Sequence, residues 1–399
     1  MPLALLALTI GAFAIGTTEF VIVGLLPTIA GDLGITLPSA GLLVSFYALG
    51  VAVGAPILTA VTGRMERKTL LVLLMTLFTA ANLLAWRAPG YATLVFARVL
   101  SGLAHGVFFS VGSIIATHVV PKEKSGRAIA TMFSGLTVAF VTGVPLGTFV
   151  GQHFGWRVTF LVVSLFGIVA LASALTFVPR HVERVPPASI RKQAELFLQP
   201  RLLLVFAMTI VGYGGSLIAF TFLAPILEQT AGFSPSVVGI VLLLYGASVA
   251  AGNMFGGKLA DTHGPVTALK LIFSLLAFVL LLLGFVATDK VLVIAVVLAW
   301  GGVAFGNVPA LQVYVVKQAE RFAPHAVNVA SGMNIAAFNL GVAGGAWTGG
   351  IVVSHLGLMH TPWVGATVVL LALALTWISG KIDSGDRSPV AAASRIHRV

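Results

Sequence analysis

Long apolar stretches alternate with short polar gaps along almost the whole chain. A helix needs about 20 apolar residues to cross a hydrocarbon core roughly 30 Å thick, and twelve stretches reach about that length. They cover residues 3–29, 39–62, 69–88, 91–117, 127–150, 157–179, 202–227, 235–257, 265–287, 291–316, 326–352 and 361–380. The pattern predicts an all-α membrane protein with twelve transmembrane helices.

One gap is longer and more polar than the others. Residues 180–201 contain five cations and three prolines, two of them in succession at Pro186 and Pro187, and consecutive prolines stop a helix and favour an extended connector. Within this gap, 190–198 is compatible with a short amphipathic helix on the membrane surface. We therefore predict an N-terminal six-helix bundle at 1–179, a cytoplasmic linker at 180–200, a C-terminal six-helix bundle at 201–380 and a disordered tail at 381–399.

Positive charge follows the same alternation. Nineteen of the 23 Lys and Arg residues fall at every second gap, and cytoplasmic loops of membrane proteins carry such an excess. Because the number of spans is even, both termini are then cytoplasmic. Only 9% of the residues are charged, against about 25% in soluble domains. The net charge of +11 therefore indicates topology and contact with anionic lipid headgroups, and it does not imply nucleic acid. The absence of Cys excludes disulfides and thiolate chemistry.

The two halves of the chain are similar to diverged copies of one unit. The loop over 59–68, after the second stretch, holds the same place in its half as the loop over 257–264, after the eighth. Two six-helix bundles related in this way place a binding site at their interface near mid-membrane, with alternating access if the halves rock.

Five short motifs occur in order along the chain. They are Gly16-Thr17-Thr18-Glu19-Phe20, Arg98-x-x-x-Gly102, Gly143-x-Pro145-x-Gly147, Gly155-Trp156-Arg157-x-x-Phe160 and Gly257-x-Leu259-Ala260-Asp261-x-x-Gly264. The last four resemble the arginine motif, the antiporter motif, a recurrent sixth-span element and the cytoplasmic loop signature of the major facilitator superfamily. The first is similar to the opening of its twelve-span drug:proton antiporter branch, which contains bacterial sugar (arabinose-type) and chloramphenicol exporters.

This resemblance implies a particular fold and setting. We expect two pseudo-symmetric six-helix bundles, the major facilitator fold, in a monomeric multi-pass protein of the bacterial inner membrane. The expected partners are a small-molecule substrate, protons and the lipid bilayer, with no cofactor, no metal and no nucleic acid.

Three ionisable residues, Glu19, Arg98 and His105, lie deep within the apolar stretches. Charge inside hydrocarbon costs roughly 2.5–3.5 kcal/mol on insertion scales and usually marks a functional site. At about 1.5 Å per residue, Glu19 lies about 22 Å outward along the first stretch and Arg98 about 10 Å below the outer surface. These depths nearly coincide in a core about 30 Å thick. His105 follows Arg98 by seven residues and so shares its helix face.

These three residues are the candidate proton-coupling group. Burial favours a neutral carboxyl and a nearby guanidinium favours the charged form, so Glu19 is the predicted protonation site and Arg98 its charge partner or competitor. The alternatives are a permanent ion pair joining two helices and no contact at all. His105 could relay protons or simply hydrogen-bond to a neighbouring span.

The second half carries only neutral polar groups inside its spans. Apolar walls with a few hydrogen-bonding groups suit a small neutral or mildly amphipathic solute, whereas an organic anion would call for a second buried cation. The alternative is that the amides join helices and the aromatic rings face lipid. The candidate substrate-binding residues are Phe46, Tyr47, Phe109, Tyr213, Phe220, Trp300, Asn307, Gln312, Asn334 and Asn339.

Candidate gating residues lie in the loop signatures and the fifth span. The glycines and Pro145 let the fifth span pack closely and bend. Asp261 could bind a neighbouring helix N-terminus or remain a solvated loop acid. The set is Arg64, Arg67, Lys68, Gly143, Pro145, Gly147, Gly257, Asp261 and Gly264.

We therefore expect a secondary transporter that expels a small organic solute, of the drug or sugar class, in exchange for protons. No phosphate-binding Gly-Lys-Ser/Thr loop and no hydrolytic constellation is present in the sequence, so neither ATP drive nor an enzyme is expected. An uptake symporter of the same fold is the nearest alternative, and a membrane receptor or scaffold is the alternative from another class.

Overall fold

The computed structural model describes residues 2–58, 61–62, 65–180, 182, 196 and 198–385. Within this part of the chain, twelve helices are long and apolar enough to cross a membrane. In chain order they are α1 (Leu3–Leu33), α2 (Leu37–Leu58), α3 (Arg67–Trp86), α4 (Tyr91–His118), α5 (Lys122–Phe154), α6 (Trp156–Phe177), α7 (Pro200–Thr230), α8 (Pro235–His263), α9 (Pro265–Val286), α10 (Lys290–Phe322), α11 (Val327–His355) and α12 (Leu358–Ser384). The expected all-α fold with twelve spans is confirmed. Helices satisfy the backbone N–H and C=O groups internally, which lipid cannot do.

The last helix runs beyond the apolar stretch that predicts it, because a polar residue near its end is held inside the protein. The last helix continues to Gly385, so the tail boundary expected at 381 is wrong. Asp383, only 9% exposed, accepts hydrogen bonds from Tyr314 Oη (2.8 Å) and Gln318 Nε2 (2.9 Å) in α10. Residues 386–399 and 183–195 lie outside the described residues, together with almost all of the surface helix expected over 190–198.

Successive helices alternate in direction, which defines two faces of the molecule. We call the face where α6 ends and α7 begins the linker face, and the opposite one the far face. At the linker face, Lys68 at the start of α3 donates from Nζ to the main-chain oxygens of Leu175 and Val178 at the end of α6 (2.7 and 2.6 Å). At the far face, the Tyr91 hydroxyl at the start of α4 donates to the main-chain oxygen of Ser39 in α2 (2.7 Å).

Glycines set equivalent close contacts in the two halves. On α5, a Cβ at Gly143 or Gly147 would lie 2.2 or 2.6 Å from side chains of α1. On α11, a Cβ at Gly341 or Gly345 would lie 2.8 or 2.3 Å from main-chain oxygens of α7. Since α7 and α11 are the sixth helices after α1 and α5, the same helix pair is repeated in each half.

The buried apolar residues show where the halves are joined. One continuous core runs through the second half and includes the far-face part of the first half, such as Phe20–Ala30 of α1. The linker-face part of the first half, such as Ala4–Ile15 of α1, belongs to a separate core. At the junction, Ser45 Oγ in α2 donates to the main-chain oxygen of Ala343 in α11 (2.9 Å). The halves are therefore packed together toward the far face and packed separately toward the linker face.

Candidate transport site

Arg98 joins three helices at the level of Glu19. It is 1% exposed. Its Nη1 donates to the main-chain oxygen of Thr18 (2.6 Å) and its Nη2 to that of Glu19 (3.5 Å), both in α1. Its Nε donates to the main-chain oxygen of Leu43 in α2 (3.3 Å). Glu19 and Arg98 thus lie at the same depth, as the residue counts suggest, and the fixed fork of the guanidinium spans the two neighbouring helices.

Gly102 explains how α4 comes so close to α2. A Cβ at this position would lie 2.1 Å from the main-chain oxygen of Tyr47, so any side chain here would separate the two backbones. The contact also places the Tyr47 ring beneath the Arg98 guanidinium, with 4.1 Å between Cζ and the ring centroid. The glycine of the Arg98-x-x-x-Gly102 motif therefore permits the helix contact that positions the arginine.

The carboxylate of Glu19 is directed to His105 and not to Arg98. Glu19 Oε2 lies 3.8 Å from His105 Nδ1, and the Tyr47 hydroxyl lies 3.0 Å from the same nitrogen. Glu19 and Arg98 both belong to the described residues, and they form no carboxylate–guanidinium pair within 4.0 Å. The permanent ion pair left open by the sequence is therefore absent in this conformation. The proton-coupling role of these residues stays a prediction.

Glu19 is buried at the level where α1 contacts the second half. The residue is 9% exposed, so its carboxylate does not face lipid. Its neighbour Phe20 contacts Phe305 of α10, with 6.2 Å between ring centroids. The acid thus belongs to the first half and immediately precedes a residue that contacts the second.

Aromatic rings from both halves meet next to Glu19. We call this group the aromatic cluster, and its members are Phe20, Phe140, Tyr213, Phe220, Tyr245, Trp300, Phe305 and Phe338. Phe140 of α5 is central, because its ring centroid lies 5.0 Å from that of Phe305 and 6.1 Å from that of Phe220. Trp300 donates from Nε1 to Ser216 Oγ (2.9 Å). The cluster offers flat apolar surfaces at the junction of the halves.

Only part of the cluster coincides with the sequence candidates. Tyr213, Phe220 and Trp300 belong to it, while Tyr47 and Phe109 surround His105 on the first-half side. Phe46 is half-buried and makes no ring contact with the described residues. The members missed by sequence reasoning are Phe20, Phe140, Tyr245, Phe305 and Phe338.

Two of the four predicted amides hold helices of the second half together. Asn334 Nδ2 in α11 donates to Gln312 Oε1 in α10 (3.0 Å), and its Oδ1 accepts from Thr209 Oγ1 in α7 (2.7 Å). Gln312 Nε2 donates to the hydroxyl of Ser331. The joining role that the sequence analysis left as an alternative therefore describes Gln312 and Asn334.

Asn307 and Asn339, the other two amides, each have an Oδ1 atom that accepts no hydrogen bond. Asn307 Nδ2 donates to the main-chain oxygen of Ala304 (2.8 Å) and Asn339 Nδ2 to that of Ile335 (3.0 Å). A main-chain oxygen only accepts, so each amide must turn its nitrogen inward and present its oxygen. Both Oδ1 atoms are buried and without a hydrogen-bond partner. An unsatisfied buried acceptor is costly, which makes these oxygens candidate contacts for a solute.

The gating candidates have diverse positions. Arg64 lies outside the described residues, and Arg67 is buried at the start of α3. Lys68 binds the last carbonyls of α6, as described above, which stabilises that helix end. Asp261 is exposed and has no hydrogen-bond partner among the described residues, so this conformation shows the solvated acid. Gly264 adopts φ +81°, a left-handed conformation that favours glycine at the α8–α9 turn.

Gly257 and the fifth-span motif have packing roles as well. A Cβ at Gly257 would lie 3.7 Å from Pro309, an ordinary contact. In α5, a wider π-type turn at Ala139–Gly143 immediately precedes Val144 and Pro145. Pro145 lacks the N–H that a regular helix would use, and such turns often occur at functional positions.

An ion pair at the far face also escaped the sequence analysis. Asp32 at the end of α1 accepts hydrogen bonds from Trp156 Nε1 (2.9 Å) and from the Arg157 guanidinium. Arg157 Nε also donates to the main-chain oxygen of Ala88 (3.2 Å). The Gly155-Trp156-Arg157 motif thus fastens three far-face ends of the first half. A sequence signal that links Asp32 to this motif would have been needed to predict the ion pair.

Twelve spans arranged as two similar halves, with a buried acid at their junction, define a multi-pass membrane transporter. The family model described as Major Facilitator Superfamily matches residues 8–331, and the chain belongs to that superfamily. It is a secondary transporter and not an enzyme.

The chain is similar over nearly its full length to several curated proteins. It is 50% identical to the uncharacterized MFS-type transporter YtbD of Bacillus subtilis (96% of this chain, 97% of that protein). It is 40% identical to the inner membrane transport protein YdhP of Escherichia coli K12 (94% and 96%). It is 32% identical to a chloramphenicol resistance protein of Streptomyces lividans (94% and 96%). A bacterial homologue of the human lysosomal transporter Spinster has the same fold, with a TM-score of 0.74 at 16% identity (95% and 96%).

Proposed function

We propose that this transporter exports a small neutral or amphipathic organic solute, of the drug or sugar class, in exchange for protons across the bacterial inner membrane. The observation that carries the proposal is Glu19, a buried acid at the junction of the halves whose carboxylate lies 3.8 Å from His105. The name of the Streptomyces relative, a chloramphenicol resistance protein, and the opening motif support the drug:proton antiporter branch. The name of YdhP, an inner membrane transport protein, supports the location.

The cations at every second gap support a cytoplasmic linker face, with both termini cytoplasmic. The halves, made of helices α1–α6 and α7–α12, then act as the two rocking units of alternating access. Because the described helices are joined toward the far face, this conformation corresponds to the inward-facing state. Opening toward the far face requires contacts such as the Ser45–Ala343 hydrogen bond to break.

Proton coupling follows from the position of His105 Nδ1. This nitrogen lies 3.0 Å from the Tyr47 hydroxyl and 3.8 Å from Glu19 Oε2, and it either carries a proton or accepts one. When Nδ1 accepts from Tyr47, it cannot donate to Glu19. When Nδ1 is protonated, the Tyr47 hydroxyl must turn, and the Glu19 carboxylate can accept a hydrogen bond from Nδ1 after moving closer than the present 3.8 Å. Loading and unloading Glu19 therefore changes the Tyr47–His105 contact, which joins α2 and α4.

The solute is expected between the aromatic cluster and the Oδ1 atoms of Asn307 and Asn339, which have no hydrogen-bond partner. Flat rings from both halves suit an apolar face of the solute, and the Oδ1 atoms of Asn307 and Asn339 suit hydroxyl or N–H donors. The Arg98 N–H groups are directed to main-chain oxygens, so this guanidinium does not favour an organic anion. Chloramphenicol-like drugs and sugars both have this chemistry.

Everted membrane vesicles from an overexpressing strain test the direction and coupling. The vesicles are acidified inside and offered a panel that includes chloramphenicol and arabinose. An exporter accumulates its solute when the lumen is acidic and stops when the gradient is collapsed. Loss of solute from the lumen under the same gradient would identify an uptake symporter.

Glu19→Gln tests the residue assignment in the same vesicles. The amide keeps the shape of the side chain but cannot bind or release the coupling proton, so gradient-driven accumulation should be abolished. Glu228→Gln makes the same chemical change at a half-buried acid near the far-face end of α7 and should leave accumulation close to wild type. Full gradient-driven accumulation by a folded Glu19→Gln protein would show that the proton is carried elsewhere.

A further inference from the structure

A cavity of about 420 Å³ lies at the linker face, and all of its lining residues belong to the second half. It is formed by the α8–α9 turn, the end of α10 and the end of α12. We call it the basic cavity, because its lining includes His263, Lys270, Lys317 and Arg321. The acid in this lining is Asp383.

The Asp383 carboxylate already has hydrogen-bond partners and an ion-pair partner within the protein. Its carboxylate accepts from the Tyr314 hydroxyl and from Gln318 Nε2, and Arg201 Nη1 lies 3.6 Å from its Oδ1. Arg201 comes from the start of α7. Lys270 and Lys317 form no ion pair with an acid among the described residues, so these two lysines make the cavity attractive to an anion.

Gln318 adds a requirement for a donor on the ligand. The residue is 6% exposed and lines the cavity. Its nitrogen is directed to Asp383, which fixes the amide orientation, and its Oε1 is buried without a hydrogen-bond partner. A buried acceptor without a donor is costly. A ligand with both an anionic group and a hydroxyl or N–H group would satisfy both features.

The surroundings of the cavity favour a lipid as the source of that ligand. Lys270 Nζ lies 3.6 Å from the ring centroid of Trp377 in α12. Trp377 and its neighbour Ile378 are 51% and 50% exposed, and Leu271 of α9 is 44% exposed. In a membrane protein such residues face lipid, and tryptophan is enriched at the headgroup level. An acyl chain can therefore lie against this apolar surface while its headgroup enters the basic cavity.

We propose that the basic cavity binds the headgroup of an anionic phospholipid whose phosphodiester carries hydroxyl groups, as in phosphatidylglycerol. Lys270 and Lys317 bind the phosphate oxygens, in keeping with basic pockets between helices that hold anionic headgroups. A headgroup hydroxyl donates to Gln318 Oε1. This site is separate from the transport site and does not depend on the proposed solute or coupling.

Native mass spectrometry of the detergent-solubilised full chain tests the proposal with defined lipids. Phosphatidylglycerol should be retained more tightly than phosphatidylcholine, which has no headgroup donor and no net charge. The double variant Lys270→Gln/Lys317→Gln should weaken phosphatidylglycerol binding about 30-fold, since each Lys near an anionic surface contributes roughly 1 kcal/mol. The matched double variant Lys122→Gln/Lys124→Gln changes two exposed lysines on the same face and should bind like wild type.

A single variant and a competition experiment complete the test. If the double variant does not fold, the single change at the exposed Lys317 should still weaken binding about fivefold. Glycerol phosphate and inorganic phosphate at millimolar concentration should not displace the lipid. Displacement by either one would mean a soluble phosphate site and overturn the lipid assignment. Equal phosphatidylglycerol affinity of the two double variants, or equal retention of both lipids by wild type, would overturn the site itself.

Discussion

Arg98→Lys tests whether the shape of the guanidinium matters as well as its charge. Lysine keeps the positive charge beside Glu19, but its compact ammonium cannot reach the main-chain oxygens of α1 and α2 at once. It also loses the flat stacking on Tyr47. We therefore expect a less stable protein that no longer holds α1, α2 and α4 in register and has lost most of its transport.

The size of the effect can be worked from the contacts. Hydrogen bonds to charged groups contribute about 1.5–3 kcal/mol each. The 2.6 Å bond to Thr18 belongs to the strong end, whereas the bonds at 3.3 and 3.5 Å are weak. Lysine can keep one of the three, and losing the desolvated cation–π contact removes up to about 2 kcal/mol more. The expected loss in free energy of unfolding is roughly 3 kcal/mol.

Unfolding of the detergent-solubilised protein, followed by tryptophan fluorescence, measures this loss. Arg127→Lys is the matched control, because Arg127 is exposed on α5 and its replacement should change stability by no more than about 0.5 kcal/mol. Equal stability of the two variants, with transport intact in both, would refute the claim that the guanidinium fork joins these helices.

Three further predictions follow from the packing and the interface. Gly102→Ala should lower the free energy of unfolding by about 1–3 kcal/mol through overpacking, which is measured as a lower Tm. Gly344→Ala, where a Cβ would meet no atom within 4 Å, should leave the Tm unchanged. Equal Tm values for the two variants would contradict the close contact at Gly102. The chain has no Cys, so a single introduced Cys can be labelled specifically. Ser45→Cys should react slowly with a maleimide added at the far face and faster when solute opens that face, with the exposed Ser354→Cys as the reference. Labelling of Ser45→Cys that is always fast would contradict the closed far face. Phe305→Ala removes a ring that contacts both halves and should weaken solute binding, read as a higher Kd; an unchanged Kd would remove the aromatic cluster from the solute path.

The number and approximate position of the spans could be predicted because hydropathy depends on the residues themselves. The ends were less certain, since Asp383 looks like a solvent-exposed residue in sequence and is in fact held by Tyr314 and Gln318 from another helix. The resemblance to the major facilitator superfamily is confirmed by the family model, whereas its drug:proton antiporter branch stays a proposal.

The sequence predicts how deep the site residues lie in the membrane, but not the direction in which their side chains point. Counting residues places Glu19 and Arg98 at one level, but rotation about the helix axes decides that the carboxylate meets His105 while the guanidinium meets main-chain oxygens. The chain has 26 Phe residues, and nothing in the sequence distinguishes Phe140 and Phe305 at the interface from those that face lipid. The joining role of Gln312 likewise depends on a partner in another helix.

Proton release on solute binding is the most direct test of the central claim that Glu19 exchanges its proton for solute. The detergent-solubilised protein, in weak buffer with a pH indicator, is mixed with the solute identified in the vesicle screen. We predict that wild-type and Glu228→Gln protein release protons on binding, while Glu19→Gln binds solute and releases none. Equal proton release by the Glu19→Gln variant would contradict the account.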